Sequence, residues 1–375
     1  MNDKHKDQSD YTKHLHSVLA GREEADKKDL ETIAEIAKLS EAPDFDVQRG
    51  YLRLRAQLTL KAEERRRRKR RTRHYTIGAV AAAIIGVMVT ILVPRSGVLF
   101  NPGTSSMMAK QIQETYFLPD SLAGDRDLVL EREDGSRLYL KMGDKDSLKL
   151  KDVAPLFAAK EMVTMIVPET RRGTVVLDDG TVVTLNSVSS LRMPVTFGKH
   201  RSVELKEGEA LMDVAQDKKR PFTVDVEEMR LEVLGTTFDV CLYPEQHPTA
   251  ALIEGSLKVT DRQGKSVVLA PGEEALYMGE EGGLVHQASD LAVRTAWVNG
   301  IFIFKHLPLS SIMQYLERWY GFNTIYMDDA FKQNTYTGAL RREYSREFVF
   351  ELLETTTELK INNKPEDRYV VMQHR

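Results

Sequence analysis

The sequence predicts a multidomain chain with four kinds of structure in order. These are a small all-α segment, one transmembrane helix, a β-rich region built as a sandwich or a short solenoid, and a C-terminal α+β module of βαβ repeats. Three observations predict it. Residues 75–93 form an uncharged apolar stretch, the hydrophobic period changes from helical to alternating after about Val129, and strand and helix patterns alternate again after Ala296. The length of 375 residues fits two to three domains. With 42% hydrophobic and 29% charged residues, wholesale disorder and a multi-span membrane protein are both excluded. A net charge of -3 gives no global attraction to nucleic acid, and the single cysteine, Cys241, excludes a disulfide framework or a multi-cysteine metal site.

Residues 1–64 carry three helical patterns and no strand pattern. Tyr11, Leu15, Val18 and Leu19 share one face, and Leu30, Ile33, Ala34 and Ala37, with the neighbouring Ile36, make a second. After the Pro43 breaker, Phe45, Val47, Tyr51, Leu52, Leu54 and Leu58 lie on a third helix that runs toward the basic stretch. So few large side chains make a thin core, since small domains bury proportionately little surface. The segment is therefore either an apolar helical surface that docks on another protein or a small self-sufficient bundle. The docking surface would comprise Leu15, Leu19, Ile33, Ile36, Phe45, Tyr51 and Leu52.

Residues 65–74 follow with eight Lys or Arg in ten positions, namely Arg65, Arg66, Arg67, Arg68, Lys69, Arg70, Arg71 and Arg73. Alone, such a run suits a nuclear signal or a nucleic-acid patch. Beside an apolar helix it is a topology determinant, because basic flanks stay on the cytoplasmic side and anionic headgroups favour each charge by about 1 kcal/mol. The stretch Tyr75–Val93 would be roughly 28 Å long as a helix, close to the roughly 30 Å hydrocarbon core of a bilayer. It begins too far from Met1 for a cleaved signal peptide. Residues 1–74 hold 19 basic and 14 acidic side chains, and the remainder of the chain carries a net charge of -8. The expected arrangement is a single pass with the N-terminus cytoplasmic, followed by a linker over 94–128.

In the β-rich region, 129–290, Asp134-Gly135 and Asp179-Gly180 each sit between two strand-like runs and predict hairpins. Further strands are expected at Ser202–Lys206, Phe222–Val226, Arg230–Leu234, Thr237–Tyr243, Ala251–Val259, Val267–Leu269 and Ala275–Met278. In the C-terminal module, 296–375, Ile301–Phe304 reads as a strand. Pro308 opens a helix with Leu309, Ile312, Met313, Leu316 and Trp319 on one face, closed by Gly321. The pattern recurs from Thr335 with a helix over Ser345–Thr356, which predicts a doubled βαβ-like unit. Trp297 and Trp319 are expected in the core.

Five runs stand in an order and spacing that resembles the FecR family of membrane-spanning sigma-factor regulators: LDDGTVVTLNSVSSLRMP, VELKEGEALMDVAQDKKRPFTVD, VLGTTFDVCLY, ALIEGSLKV and LAPGEEA. The likeness covers roughly Val163 to Met278. DFDVQRGYLRLRAQL is similar to the family's cytoplasmic helix, with Tyr51 where Trp is usual. The C-terminal module resembles that of Bacteroidetes-type FecR proteins, which is similar to the signalling domain of TonB-dependent transducers. The resemblance implies an anti-sigma factor in the inner membrane of a Gram-negative bacterium. Its implied partners are an extracytoplasmic-function sigma factor on the cytoplasmic helices, the signalling domain of a TonB-dependent outer-membrane transducer in the periplasm, periplasmic and intramembrane proteases, and the bilayer, with no direct nucleic acid. A membrane-tethered glycan-binding or envelope-structural protein is the alternative.

No HExxH, GxSxG or GxxxxGK[ST] motif occurs, and Gly264-Lys265-Ser266 reads as a turn. No catalytic, cofactor or metal site is expected, and the pairs Asp178-Asp179 and Glu273-Glu274 read as exposed charged turns. One bond stands out. At Gly235-Thr236 a strained turn would let the Thr236 hydroxyl attack the preceding carbonyl and cut the chain. The competing reading is a β-bulge glycine.

Overall fold

Alternation of apolar and polar side chains runs through the middle of the chain, and each alternating run forms a strand. The computed structural model describes residues 102–373, apart from 120–121, 125–126, 144–145, 159 and 365–367. The apolar stretch 75–93, the basic run and the seven candidate docking residues lie outside the described residues. Among the described residues no helix is long and apolar enough to cross a membrane.

The first strands are β1 (Val129–Arg132), β2 (Arg137–Tyr139), β3 (Leu148–Lys149), β4 (Met162–Val167), β5 (Gly173–Val176), β6 (Val182–Leu185), β7 (Ser189–Pro194) and β8 (Arg201–Asp213). Then come β9 (Phe222–Asp225), β10 (Met229–Val233), β11 (Thr237–Leu242), β12 (Thr249–Glu254), β13 (Leu257–Asp261), β14 (Ser266–Leu269), β15 (Glu273–Tyr277) and β16 (Leu284–Ala288). Both Asp-Gly hairpins form, as β1–β2 and β5–β6. Ala251–Val259, expected as one strand, is two. The chain breaks at Gly255-Ser256, and β12 and β13 belong to different sheets.

Strand β8 organises the domain. Its first half pairs with β7 and β9, within a sheet ordered β2-β1-β4-β7-β8-β9-β10-β13-β14. Its second half pairs with β6 and β11, within a sheet ordered β3-β5-β6-β8-β11-β12-β15-β16. The corner falls at Gly208, whose φ is +91°. A Cβ there would lie 2.5 Å from the Ser189 Cα, so no larger residue fits without moving the β7 backbone. Leu205, Met212, Phe222, Phe238, Val240 and Leu252 are among the fully buried apolar side chains of the core that joins the two sheets.

Residues 94–128, expected as a linker, contain the helix α1 (Pro102–Tyr116). Proline suits its first position because that N–H has no helical partner. Its end is fixed to the β-domain. Ile112 and Phe117 join the core, the Tyr116 hydroxyl donates to Asp152 at 3.2 Å, and Phe117 bridges Leu140.

The C-terminal module follows α2 (Leu291–Thr295) and a 3-10 turn over Ala296–Asn299. It contains β17 (Ile301–Pro308), α3 (Leu309–Tyr320), β18 (Asn323–Tyr326), β19 (Thr335–Arg341), α4 (Arg346–Thr356), β20 (Leu359–Lys364) and β21 (Arg368–Gln373). The five predicted inward residues of α3 are all buried, and the helix closes at Gly321. The doubled βαβ reading needs correction, because the strands of each unit separate. β17 pairs antiparallel with β19, whereas β18 pairs parallel with β21, which pairs antiparallel with β20. Trp319 lies in this module's own core.

Candidate functional site

Strand β11, TFDVCL, turns Phe238 and Val240 into the core between the two sheets. The period of two sends Thr237, Asp239 and Cys241 outward, where solvent is expected. Yet Asp239 is 1% exposed and Cys241 2% exposed. The outer face of this sheet is covered by the segment that begins at α2.

Register places the acids of that face. Cys241 is opposite Glu209 on β8, Asp239 is opposite Leu211, and Ala251 on β12 lies between Asp239 and Glu274 of β15. Glu209, Asp239 and Glu274 therefore share one face, and all three are buried. Glu245, just after β11, adds a fourth carboxylate at the rim.

The covering segment supplies cations and aromatic rings. Arg294 of α2 donates from Nε to Glu274 Oε2 at 3.0 Å. Trp297 donates its indole N–H to Asp239 Oδ1 at 3.3 Å. Arg318 of α3 pairs with Glu245, and its guanidinium lies 3.8 Å from the Tyr243 ring centroid, a cation–π contact. The main chain joins in, as Thr170 N–H donates to the Arg318 carbonyl at 2.8 Å. Arg342 reaches the Ser187 hydroxyl at 3.3 Å. From the β-domain side, Arg172 donates to the carbonyls of Trp297 and Val298 at 3.0 and 2.9 Å.

The electrostatics divide the acids into two kinds. Burial opposes ionisation of Glu274, but the Arg294 charge and hydrogen bonds from Gln287, Arg294 and Ser289 outweigh it and hold the carboxyl below its ordinary value. Glu209 goes the other way. Burial pushes its carboxyl up to about 7, against the Asn186 hydrogen bond and the charges of Arg294 and Arg318. Burial and then the neighbouring Glu209 charge drive Asp239 upward as well. Glu209 receives the Asn186 amide at 2.7 Å, and neither it nor Asp239 has an ion-pair partner among the described residues.

The expected site residues fall elsewhere. Gly235 and Thr236 lie where the chain passes from β10 in one sheet to β11 in the other. A Cβ at Gly235 would meet the Gln216 Cα at 2.7 Å, so close backbone approach alone accounts for the glycine. The Thr236 hydroxyl donates to the Ser256 carbonyl at 3.1 Å. The acidic pairs are not simply exposed turns. Glu274 belongs to the seam just described, and Asp179 pairs at 3.0 Å with Arg201, which has a fully buried side chain. Trp297, expected in a core, is buried at the seam.

Sequence reading passed over Glu209, Asp239, Arg294 and Arg318, because single charges within strands and short helices read as solvated faces. The one available signal was Asp239 between Phe238 and Val240 of β11. Among the described residues no group of three or more His, Cys, Asp and Glu is placed to hold a metal ion. The arrangement clamps two modules together and can hold or release protons.

Comparison with known proteins matches part of the β-domain and most of the C-terminal module. Residues 164–258 match the family described as FecR protein, and residues 301–371 match the family described as FecR, C-terminal. Two crystal structures of a candidate anti-sigma factor from Parabacteroides distasonis ATCC 8503, at 1.65 and 2.50 Å resolution, are similar to this chain. Each is 27% identical with a TM-score of 0.51, and the alignments cover 56% of this chain and 98% and 99% of theirs. No curated protein matches the chain.

Proposed function

The chain belongs to the FecR family, and from that premise we propose that it is a single-pass anti-sigma regulator of the inner membrane. Helices within residues 1–64 hold an extracytoplasmic-function sigma factor through Leu15, Leu19, Ile33, Ile36, Phe45, Tyr51 and Leu52, covering surfaces the sigma factor needs for polymerase. The basic run Arg65–Arg73 keeps that segment in the cytoplasm, and residues 75–93 cross the bilayer. The β-domain and C-terminal module then lie in the periplasm. There they receive the signalling domain of a loaded TonB-dependent outer-membrane transducer by sheet-edge or sheet-face contact.

The observation that carries this reading is the order of the parts in the sequence: three apolar patterns at helical spacing, a basic run and one long apolar stretch precede the two family-matched regions. A lone span has no packed neighbour to rock against, so a rigid tilt is a poor relay. Proteolysis carries the signal instead, with periplasmic cutting followed by intramembrane cutting, and Gly235-Thr236 is the proposed processing bond.

Co-purification of a sigma factor with residues 1–74 is the expected result, and deleting residues 1–64 is expected to release one regulon from control. Unchanged transcription after that deletion would favour an envelope-structural role. Reporters fused to the two ends must score opposite compartments. A chain that stays uncut throughout induction rules out the proteolytic relay, and a Thr236→Ala variant that still yields both fragments rules out self-cleavage.

A further inference from the structure

Four arginines reach the seam, yet two of its buried carboxyls, Glu209 and Asp239, have no ion-pair partner among the described residues. Arg294 is engaged by Glu274 and Arg318 by Glu245. Arg172 and Arg342 give hydrogen bonds to the carbonyls of Trp297 and Val298 and to the Ser187 hydroxyl. Glu209 and Asp239 lie beneath them, 6% and 1% exposed, with an amide and an indole N–H as their side-chain hydrogen-bond donors. They occupy diagonal positions on adjacent strands, so their charges repel across a short distance. A buried carboxylate without a counterion is costly, and taking up a proton removes the cost.

We propose that the seam is a proton-held latch, in which the Glu209–Asp239 pair carries at least one proton while the C-terminal module is seated and must give it up for the module to loosen at higher pH. The inference stands apart from the anti-sigma reading, since it concerns only how the two modules hold each other.

The groups facing the pair set the direction. On the β-domain side these are Cys241, Tyr243, Glu245 and Glu274, and from across the seam Arg294, Tyr315 and Arg318. Burial pushes the Cys241 thiol and both tyrosine hydroxyls upward, so none of them ionises near neutrality. The seated state thus binds more protons than the open one. The contribution of Glu209 to its stability is full below the ordinary carboxyl value of 4.5 and is lost progressively as pH rises from there to about 7, the value to which Glu209 is pushed. Mild acid tightens the latch and neutrality loosens it.

The test is hydrogen exchange on the full-length chain in lipid nanodiscs between pH 5 and 8, with rates corrected for the intrinsic pH dependence of exchange. Protection of the Trp297–Gly300 and α3 amides is expected to fall as pH rises, by up to about tenfold per pH unit for one proton released on opening. Strands β4 and β7 serve as the internal reference and should keep their protection. Glu209→Gln and Asp239→Asn mimic the protonated forms, and at least one of them should flatten the profile to within about threefold. A variant that fails to fold reveals itself in β4 and β7, and the wild-type profile remains decisive. Seam protection that is flat in the wild-type chain overturns the proposal, as does a slope that survives unchanged in both folded variants.

Discussion

The second sheet of the β-domain has two faces that are both buried by entirely different means. Its inner face meets the first sheet through Met212, Phe238, Val240 and Leu252, all 0% exposed and apolar. Its outer face meets the C-terminal segment through carboxylates, guanidiniums and an indole N–H. Apolar contact is non-directional and insensitive to pH, so the inner face fixes the domain. The outer face depends on charge and geometry, so it can be strengthened or weakened by changes that leave the domain folded. A joint between two modules built the second way can be adjusted without unfolding either of them.

The largest expected effect attacks the inner face. Phe238→Ala removes a fully buried ring from between the sheets and should cost about 3–5 kcal/mol through lost transfer energy and a residual cavity. Chemical denaturation of the full chain checks it, and the loss should appear in the β-domain and the seam together. If only the seam weakened, the inner face would not be the foundation this comparison makes it.

Arg318→Ala comes next and attacks the outer face. Glu245, with its side chain 16% exposed, would lose its ion-pair partner, and the Tyr243 ring would lose its cation. About 2–3 kcal/mol of module docking should be lost. Exchange protection should fall in α3 while β4 and β7 hold. Arg318→Lys should recover only part, because an ammonium cannot both face the ring and present a planar fork to the carboxylate.

The two faces also differ in how far they could be read beforehand. The inner face follows from alternation, and the Asp-Gly turns locate two hairpins correctly. The five buried residues of α3 follow from helical spacing. Other features depend on long-range placement. The break at Gly255-Ser256 looks like one apolar run because both halves are strands, and only the sheet change separates them. Helix α1 offers Ile112 and Tyr116 as its few apolar anchors and so lacks a clear stripe. The seam was least legible, since nothing local distinguishes Glu209 or Asp239 from a solvated acid until register aligns them and another module covers them.

Glu274→Gln has a smaller expected effect with a definite sign. Its carboxyl is held below the ordinary value of 4.5, with burial opposing and Arg294 and its hydrogen bonds prevailing. That contribution is fully present above 4.5 and is lost as pH falls through the depressed value. Glu209 contributes in the opposite sense, so the wild-type seam should be tightest in mild acid and weaken on both sides. The substitution should remove the acidic limb and leave the neutral one. At pH 7 it should cost about 1–2 kcal/mol, because Arg294 loses its charged acceptor and a neutral amide returns a weaker hydrogen bond. Exchange profiles of α2 and the Trp297–Gly300 turn check both statements.

The smallest effect tests whether burial is what gives the seam its strength. Lys258 and Glu232 are directly opposite each other on β13 and β10, with a nitrogen–oxygen distance of 3.1 Å, close to the 3.0 Å of Arg294 and Glu274 at the seam. Their side chains are 48% and 39% exposed. Water screens the attraction, and ordering two long side chains offsets much of what remains, so Lys258→Ala should cost below about 1 kcal/mol and less still in high salt. Denaturation midpoints at low and high salt measure it. If this exposed pair costs as much as Arg318→Ala, the strength of the outer face comes from pairing geometry alone, and the cover supplied by the C-terminal module contributes nothing to it.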